Sequence, residues 1–141
     1  KLLDGYESRL SNQQSLEVKG AVTRNQWLDT GDVVHFVEDN AFEIVGRVDN
    51  IINTGGVKFS AEQLEQEISK LFYKPFYISS MKDAALGERI ALIVEDAMEV
   101  DLISLNNALK HNFGSNAKIR TIIENKIEVN IITGKIQRKK F

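Results

Sequence analysis

Between Gly46 and Lys58 the chain changes its period. Up to that stretch, short runs alternate apolar and polar residues. Beyond it come a helical spacing of three and four and then alternating strand and helix patterns. The two halves therefore cannot belong to one uniform bundle or barrel. They predict an α+β chain: a small antiparallel β unit, then a compact domain with helices packed on a small sheet. The stretch itself opens on a polar cluster (Arg47, Asp49, Asn50), passes an apolar pair (Ile51, Ile52) and closes on Gly55-Gly56. It reads as a hinge between two domains, 1–45 and 46–141, and as a strip of wall beside a site.

In the first part, residues 1–14 are polar and read as loop or weak strand. Residues 15–19 alternate as a half-buried strand. Residues 26–32 (QWLDTGD) read as a turn-rich corner. Residues 33–37 and 42–45 read as a hairpin about Glu38-Asp39-Asn40. In the second part, residues 50–53 and 57–59 suit a hairpin about Gly55-Gly56, where positive φ is cheap. Ser60 with Gln63 is a capping box, and Leu64, Ile68, Leu71 and Phe72 fall on one helical face before Pro75, the only proline, stops it. Residues 76–81 and 89–95 read as strands. Asp101 caps a second helix, with Leu102, Leu105, Ala108 and Leu109 on one face, and Gly114 ends it. Residues 118–123 read as a strand and 127–132 as a last apolar run. The basic tail 137–141 reads as the start of a helix, with Arg138, Lys139 and Lys140 a solvated end.

Composition narrows the chemistry. With 43% apolar residues the 141-residue chain supports a real core. A formal net charge of −2 gives no electrostatic footing for non-specific nucleic-acid binding. No apolar run approaches the roughly 18 residues that span a bilayer, so no membrane insertion is expected and a cytoplasmic protein is the default. The absence of cysteine removes disulfides, thiolate metal sites and cysteine nucleophiles. His35 and His111, the only histidines, stand far apart without metal-ligand spacing and read as surface residues.

Two short motifs carry chemistry. Taken singly, Thr30-Gly31-Asp32 suits a β-turn as well as a carboxylate placed to accept ribose hydroxyls. Thr133-Gly134-Lys135 suits a solvated loop as well as a mobile point charge for a phosphate or carboxylate oxygen. Their order with Gly46-Arg47-Val48-Asp49, Asn53-Thr54-Gly55-Gly56-Val57-Lys58 and the capped helix is more specific. From Leu16 onward the chain closely resembles the C-terminal part of the adenylate-forming superfamily: acyl-CoA synthetases, peptide-synthetase adenylation domains and firefly-type luciferases.

The resemblance implies an ATP-dependent acid–thiol ligase. A small carboxylic acid and ATP give acyl-adenylate and pyrophosphate, then CoA gives the thioester and AMP. It implies that Asp32 holds the ATP ribose, that Arg47 reaches the ribose or phosphate, and that Lys135 is the catalytic, nucleotide-binding lysine of the first half-reaction. Asp49 matches the hinge about which a small lid swings between two poses. Gly55, Gly56, Val57 and Lys58 match the wall of the CoA pantetheine tunnel. Residues 1–45 would then close the large N-terminal domain, which would be the lid's partner and the main holder of Mg2+. The lid and hinge alone make no complete site, so the isolated chain is expected to be inactive.

Departures exist. Asn50 stands where a second acidic residue is common, Asn53 where lysine is frequent, and the approach to Trp27 is short. That short approach and the compact INTGGVK block look most like bacterial o-succinylbenzoate–CoA ligases of menaquinone synthesis. The alternatives are an adenylation domain serving a carrier protein and a non-catalytic binding module that keeps the lid fold.

Overall fold

A computed structural model describes residues 5–38, 41–139 and 141. It forms two compact units, Lys1–Ile51 and Ile52–Phe141. The first is a meander of four antiparallel strands in chain order: β1 Glu7–Leu10, β2 Ser15–Lys19, β3 Leu28–Glu38 and β4 Ala41–Arg47. Residues 26–32 are not a corner. From Leu28 they are already strand, because Gly31 takes φ +73° and the β2–β3 register slips between Ser15 and Glu17. A bulge absorbs the turn-like residues without ending the strand. The β3–β4 hairpin is present, with Asp32 opposite Arg47 and Phe36 opposite Phe42. Its expected turn residues Asp39 and Asn40 lie outside the described residues, as does Lys140 of the tail.

A single 3-10 turn, Val48–Asn50, follows β4. The second unit then runs β5 Ile51–Thr54, β6 Val57–Ser60, α1 Ala61–Ile68, β7 Phe76–Asp83, β8 Gly87–Val94, α2 Leu102–Phe113 and β9 Ile119–Glu124. Its sheet has the order β6-β5-β8-β7. β7 takes one edge of β8 along its full length, while β5 (at Gly87) and parallel β9 (from Ile90) share the other. β8 is paired on both edges and also covered on both faces, which is why its sequence is a continuous apolar run rather than an alternation. Ile90, Leu92 and Val94 meet the helices through Leu64, Ile68, Leu105 and Leu109. Ala91 and Ile93 face the other way and pack with Tyr77 and Ile127.

The caps follow the sequence. Ser60 Oγ accepts the Gln63 amide at 3.4 Å and starts α1. Loss of such a cap costs about 1 kcal/mol. Asp101 accepts from the Ser104 amide and starts α2, and Gly114 at φ +94° ends it. Two expectations need correction. α1 stops at Ile68, so Leu71 leaves the apolar face and is 51% exposed, while Phe72 turns back into the core and meets Phe76 edge-on. The described tail residues 137–139 form no helix, because their polar atoms bond to β7 and α1 instead. Among the described residues no helix is long and apolar enough to cross a membrane.

Candidate functional site

The first cluster lies in the first unit. The β3–β4 register sets Asp32 directly across from Arg47, and Arg47 Nη1 donates to Asp32 Oδ1 and to the Thr30 carbonyl, each at 2.8 Å. Both ends are accessible, with side-chain exposures of 53% for Arg47 and 29% for Asp32. The support beneath is polar. Thr30 Oγ1 donates to the Leu16 carbonyl and accepts the Asp32 amide. Asp29 Oδ1 accepts the Gly31 amide at 2.8 Å, and its Oδ2 accepts from the fully buried Ser15 hydroxyl at 3.0 Å. The Gly31 amide, then the Ser15 hydroxyl, then the charge of Arg47 hold the Asp29 carboxyl below its ordinary range against a smaller opposing effect of desolvation. Gly31 has a steric reason as well as a conformational one: a Cβ there would stand 2.7 Å from Arg47 Nη2. Sequence reasoning reaches Thr30 only as part of the Thr-Gly-Asp motif and misses Asp29 and Ser15 as its support. The signal available was the run of short polar side chains around a strand glycine.

Asp49 is exposed in the 3-10 turn, two residues before the first unit ends at Ile51.

In the second unit, Gly55 (φ +60°) and Gly56 (φ +82°) make the β5–β6 turn. Two successive positive φ values give the twist that a two-residue hairpin needs. The Gly55 amide donates to the Leu86 carbonyl at 2.9 Å, whereas a Cβ on Gly56 would meet nothing within 4 Å. Val57 and Lys58 follow, both exposed. This tip presents bare backbone to its surroundings.

Lys135 sits on an arm that leaves the core at buried Ile127 and returns at Ile136, which packs with Tyr77, Ala91 and Ile93. Val129 and Ile136 bridge the two legs. The Asn130 amide donates to the Lys135 carbonyl and the Gly134 amide to the Asn130 carbonyl, each at 2.8 Å. Asn130 Oδ1 accepts the amides of Ile132 and Thr133. Side-chain and backbone bonds thus shape a tight tip in which Gly134 adopts φ +70°. Lys135 is exposed there, beside Ile131 (100% exposed) and Ile132 (94%). The expected last apolar run is therefore one core anchor and an exposed tip.

Arg138 is not a solvated end. Its Nη1 donates to Glu65 Oε2 at 2.5 Å and to the Ile78 carbonyl at 3.2 Å, and its Nη2 bonds Glu65 Oε1. The guanidinium is desolvated by its surroundings, yet the hydrogen bonds and charge of Glu65 raise its pKa on balance. His35 and His111 are both exposed on β3 and α2. Among the described residues, no group of three or more His, Cys, Asp or Glu side chains is placed to hold a metal ion.

No family model matches the chain. Similar proteins nevertheless exist. A salicylyl-CoA synthase / salicylate adenylyltransferase of a Streptomyces species is 36% identical over 92 residues, which cover 63% of this chain and 17% of that protein. The solved acyl-CoA synthetase (AMP-forming)/AMP-acid ligase II-like protein of Dyadobacter fermentans superposes with a TM-score of 0.58 at 30% identity, over 97% of this chain and 41% of the other. Wild-type E. coli MenE, with a bound phenylether-linked analogue of OSB-AMS, gives a TM-score of 0.64 at 20% identity over 88% of this chain and 30% of its own. This last likeness is one of fold alone. The chain spans less than half the length of each of the three. With a β meander followed by an α+β unit, and with its ordered Thr-Gly-Asp, Gly-Gly and Gly-Lys motifs, the chain matches a C-terminal region of AMP-forming acyl-CoA ligases and adenylation enzymes.

Proposed function

We propose that this chain is the C-terminal part of an ATP-dependent acyl-CoA ligase, with residues 1–45 completing the large N-terminal domain and 46–141 forming the lid. The observation that carries the reading is the facing pair Asp32 and Arg47, a carboxylate and a guanidinium held 2.8 Å apart, with side-chain exposures of 29% and 53%. A carboxylate so placed accepts from two vicinal hydroxyls, and the guanidinium beside it suits a phosphate or ribose oxygen. The 36% identity to a CoA synthase supports the same assignment.

In this reading the substrate carboxylate attacks the α-phosphorus of ATP, the bond to the pyrophosphate oxygen breaks, and negative charge builds on the phosphoryl oxygens. Lys135 supplies positive charge there, with the exposed Ile131 and Ile132 entering beside it. Rotation about Asp49 then withdraws Lys135 and brings up the Gly55-Gly56 tip. The open space over Gly56 suits the close passage of a pantetheine arm along the wall formed with Val57 and Lys58. The CoA thiol attacks the acyl carbon, loses its proton, and AMP leaves. Magnesium enters with ATP, held chiefly by the large domain. The proposed location is the cytoplasm, where both ATP and CoA are available.

For the acid we propose an aromatic carboxylate, with o-succinylbenzoate of menaquinone synthesis the first choice on the short approach to Trp27 and the INTGGVK block. Salicylate, which appears in a relative's name, is the second. The test is pyrophosphate release by the whole ligase with ATP and a panel containing both acids, followed by CoA-dependent AMP formation. Release with o-succinylbenzoate and then CoA-dependent AMP formation supports the reading in full. Release with another acid retains the ligase and discards the menaquinone assignment. Release without any response to CoA moves the acceptor to a carrier protein, and silence across the panel from folded protein supports a binding module.

A further inference from the structure

The arm that bears Lys135 is held by more than its apolar anchors. β7 ends the second sheet, and Ile78 turns its amide and carbonyl away from β8, towards the open edge. Glu65, reaching down from α1, accepts that amide at 2.8 Å through Oε2. Arg138 donates to the carbonyl of the same residue and grips both Glu65 oxygens. One residue on, the Lys139 amide donates to Tyr77 Oη and its carbonyl accepts from Ser79 Oγ, each at 3.2 Å. Segment 136–139 is thus strapped along the edge, and its strongest fastening stands three residues after Lys135.

This fastening differs from an ordinary surface ion pair. Side-chain exposure is only 29% for Arg138 and 18% for Glu65, and the contact is two-pronged, so its geometry is fixed as well as its energy. It also satisfies a strand edge that would otherwise be open. The incoming leg of the arm has buried Ile127 as its anchor, and the outgoing leg has half-buried Ile136 and then this pair. Without the pair the tip would pivot about the two isoleucines, and a charge delivered to a reacting phosphate tolerates little misplacement.

We propose that Glu65 and Arg138 are positioning residues that fix the Lys135 tip for the adenylation step. This rests on the reading of Lys135 given above. The test uses the whole ligase with Arg138→Ala, Arg138→Lys and Glu65→Gln, and it follows the two half-reactions separately. Lysine keeps the charge and the stem but offers one prong. We expect each variant to lower kcat for pyrophosphate release by about tenfold to a hundredfold, the scale of a misplaced catalytic group. The rate of thioester formation from preformed acyl-adenylate should stay within a factor of about two, since that step does not need the Lys135 tip to be fixed.

Hydrogen exchange gives a readout free of activity. The peptide over 127–137 should exchange faster in each variant, with the β8 peptide unchanged. Should Arg138→Ala loosen β8 as well, Arg138→Lys decides the matter. Equal loss in both half-reactions, or unchanged exchange over 127–137 in Arg138→Lys, overturns the latch. Silence of the wild-type ligase with every acid, while the exchange difference persists, overturns the adenylation reading and leaves the strap intact.

Discussion

Asp32 and Lys135 are placed by opposite means. Asp32 stands on β3, directly opposite Arg47 on β4, so a strand register fixes both groups. Lys135 stands on an arm that carries no sheet ladder of its own beyond one bridge, and its position comes from Ile127, Ile136 and the Arg138–Glu65 contact. A site built on paired strands inherits the rigidity of the sheet. One built on an arm is as rigid as its fastenings, which suits the presentation and withdrawal proposed for Lys135. Mutations should read out this difference as a division between binding and turnover.

The largest effect belongs to the arm. Lys135→Ala should slow pyrophosphate release by the whole ligase by at least about a hundredfold, the scale for losing one preorganised charge donor. Thioester formation from supplied acyl-adenylate should be spared. Stopped assays of the two half-reactions decide it, and equal loss in both would remove Lys135 from a role confined to the first step.

The contrast also explains what could be read in advance. The β5–β6 hairpin, both helices with their Ser60 and Asp101 caps, and β7, β8 and β9 follow from period, turn chemistry and capping, all local signals. Local signals misled at Gly31, where a glycine and an aspartate together suggest a turn. The pairing of β3 with both β2 and β4 overrode that preference by way of a bulge. The pairing of Asp32 with Arg47 is a register and was not legible at fifteen residues' separation. Nor was Arg138, whose partner stands 73 positions earlier on a helix. Nothing in a basic tail announces that one of its charges is engaged. Leu71 failed for a related reason: its spacing suited the helical face, but the helix had already ended.

Substitutions at Gly31 and Gly134 should have effects of intermediate size. Gly31 (φ +73°) and Gly134 (φ +70°) have nearly the same backbone, so alanine at either costs about 1–2 kcal/mol of strain. Their surroundings differ. At Gly31 the new methyl displaces Arg47, whereas at Gly134 nothing lies within 4 Å. Gly31→Ala should therefore raise ATP KM about tenfold, the value of one charge-assisted hydrogen bond, with a smaller change in kcat. Gly134→Ala should lower kcat by only a few-fold, through strain in the tip, and change ATP KM less than Gly31→Ala does. Steady-state kinetics of the two proteins measure this directly. The same split in both would erase the distinction between a sheet-borne and an arm-borne group.

The smallest effect concerns the support beneath Asp32. Asp29 is solvent-exposed, yet the Gly31 amide, the Ser15 hydroxyl and Arg47 together hold its carboxyl below the ordinary carboxylate range. A carboxyl with a depressed folded-state pKa binds its proton more readily when unfolded. Its contribution to stability is therefore complete above the unfolded value and is lost as pH falls through the folded one. The window is acidic, from about pH 5 downward. Trp27, the only tryptophan of the chain, lies in the same unit, with Arg9 4.0 Å from its ring centre, so its fluorescence reports that unit. Urea midpoints followed at Trp27 should fall between pH 6 and pH 3, and Asp29→Asn should flatten that dependence by removing the titration. Asp101, held low chiefly by the Ser104 side chain and amide in the second unit, makes the matched control. Asp101→Asn should leave the Trp27 profile as it was. An Asp29→Asn protein with an unaltered profile would mean that the hydrogen bonds of Asp29 to Gly31 and Ser15 add nothing to the acid stability of this unit.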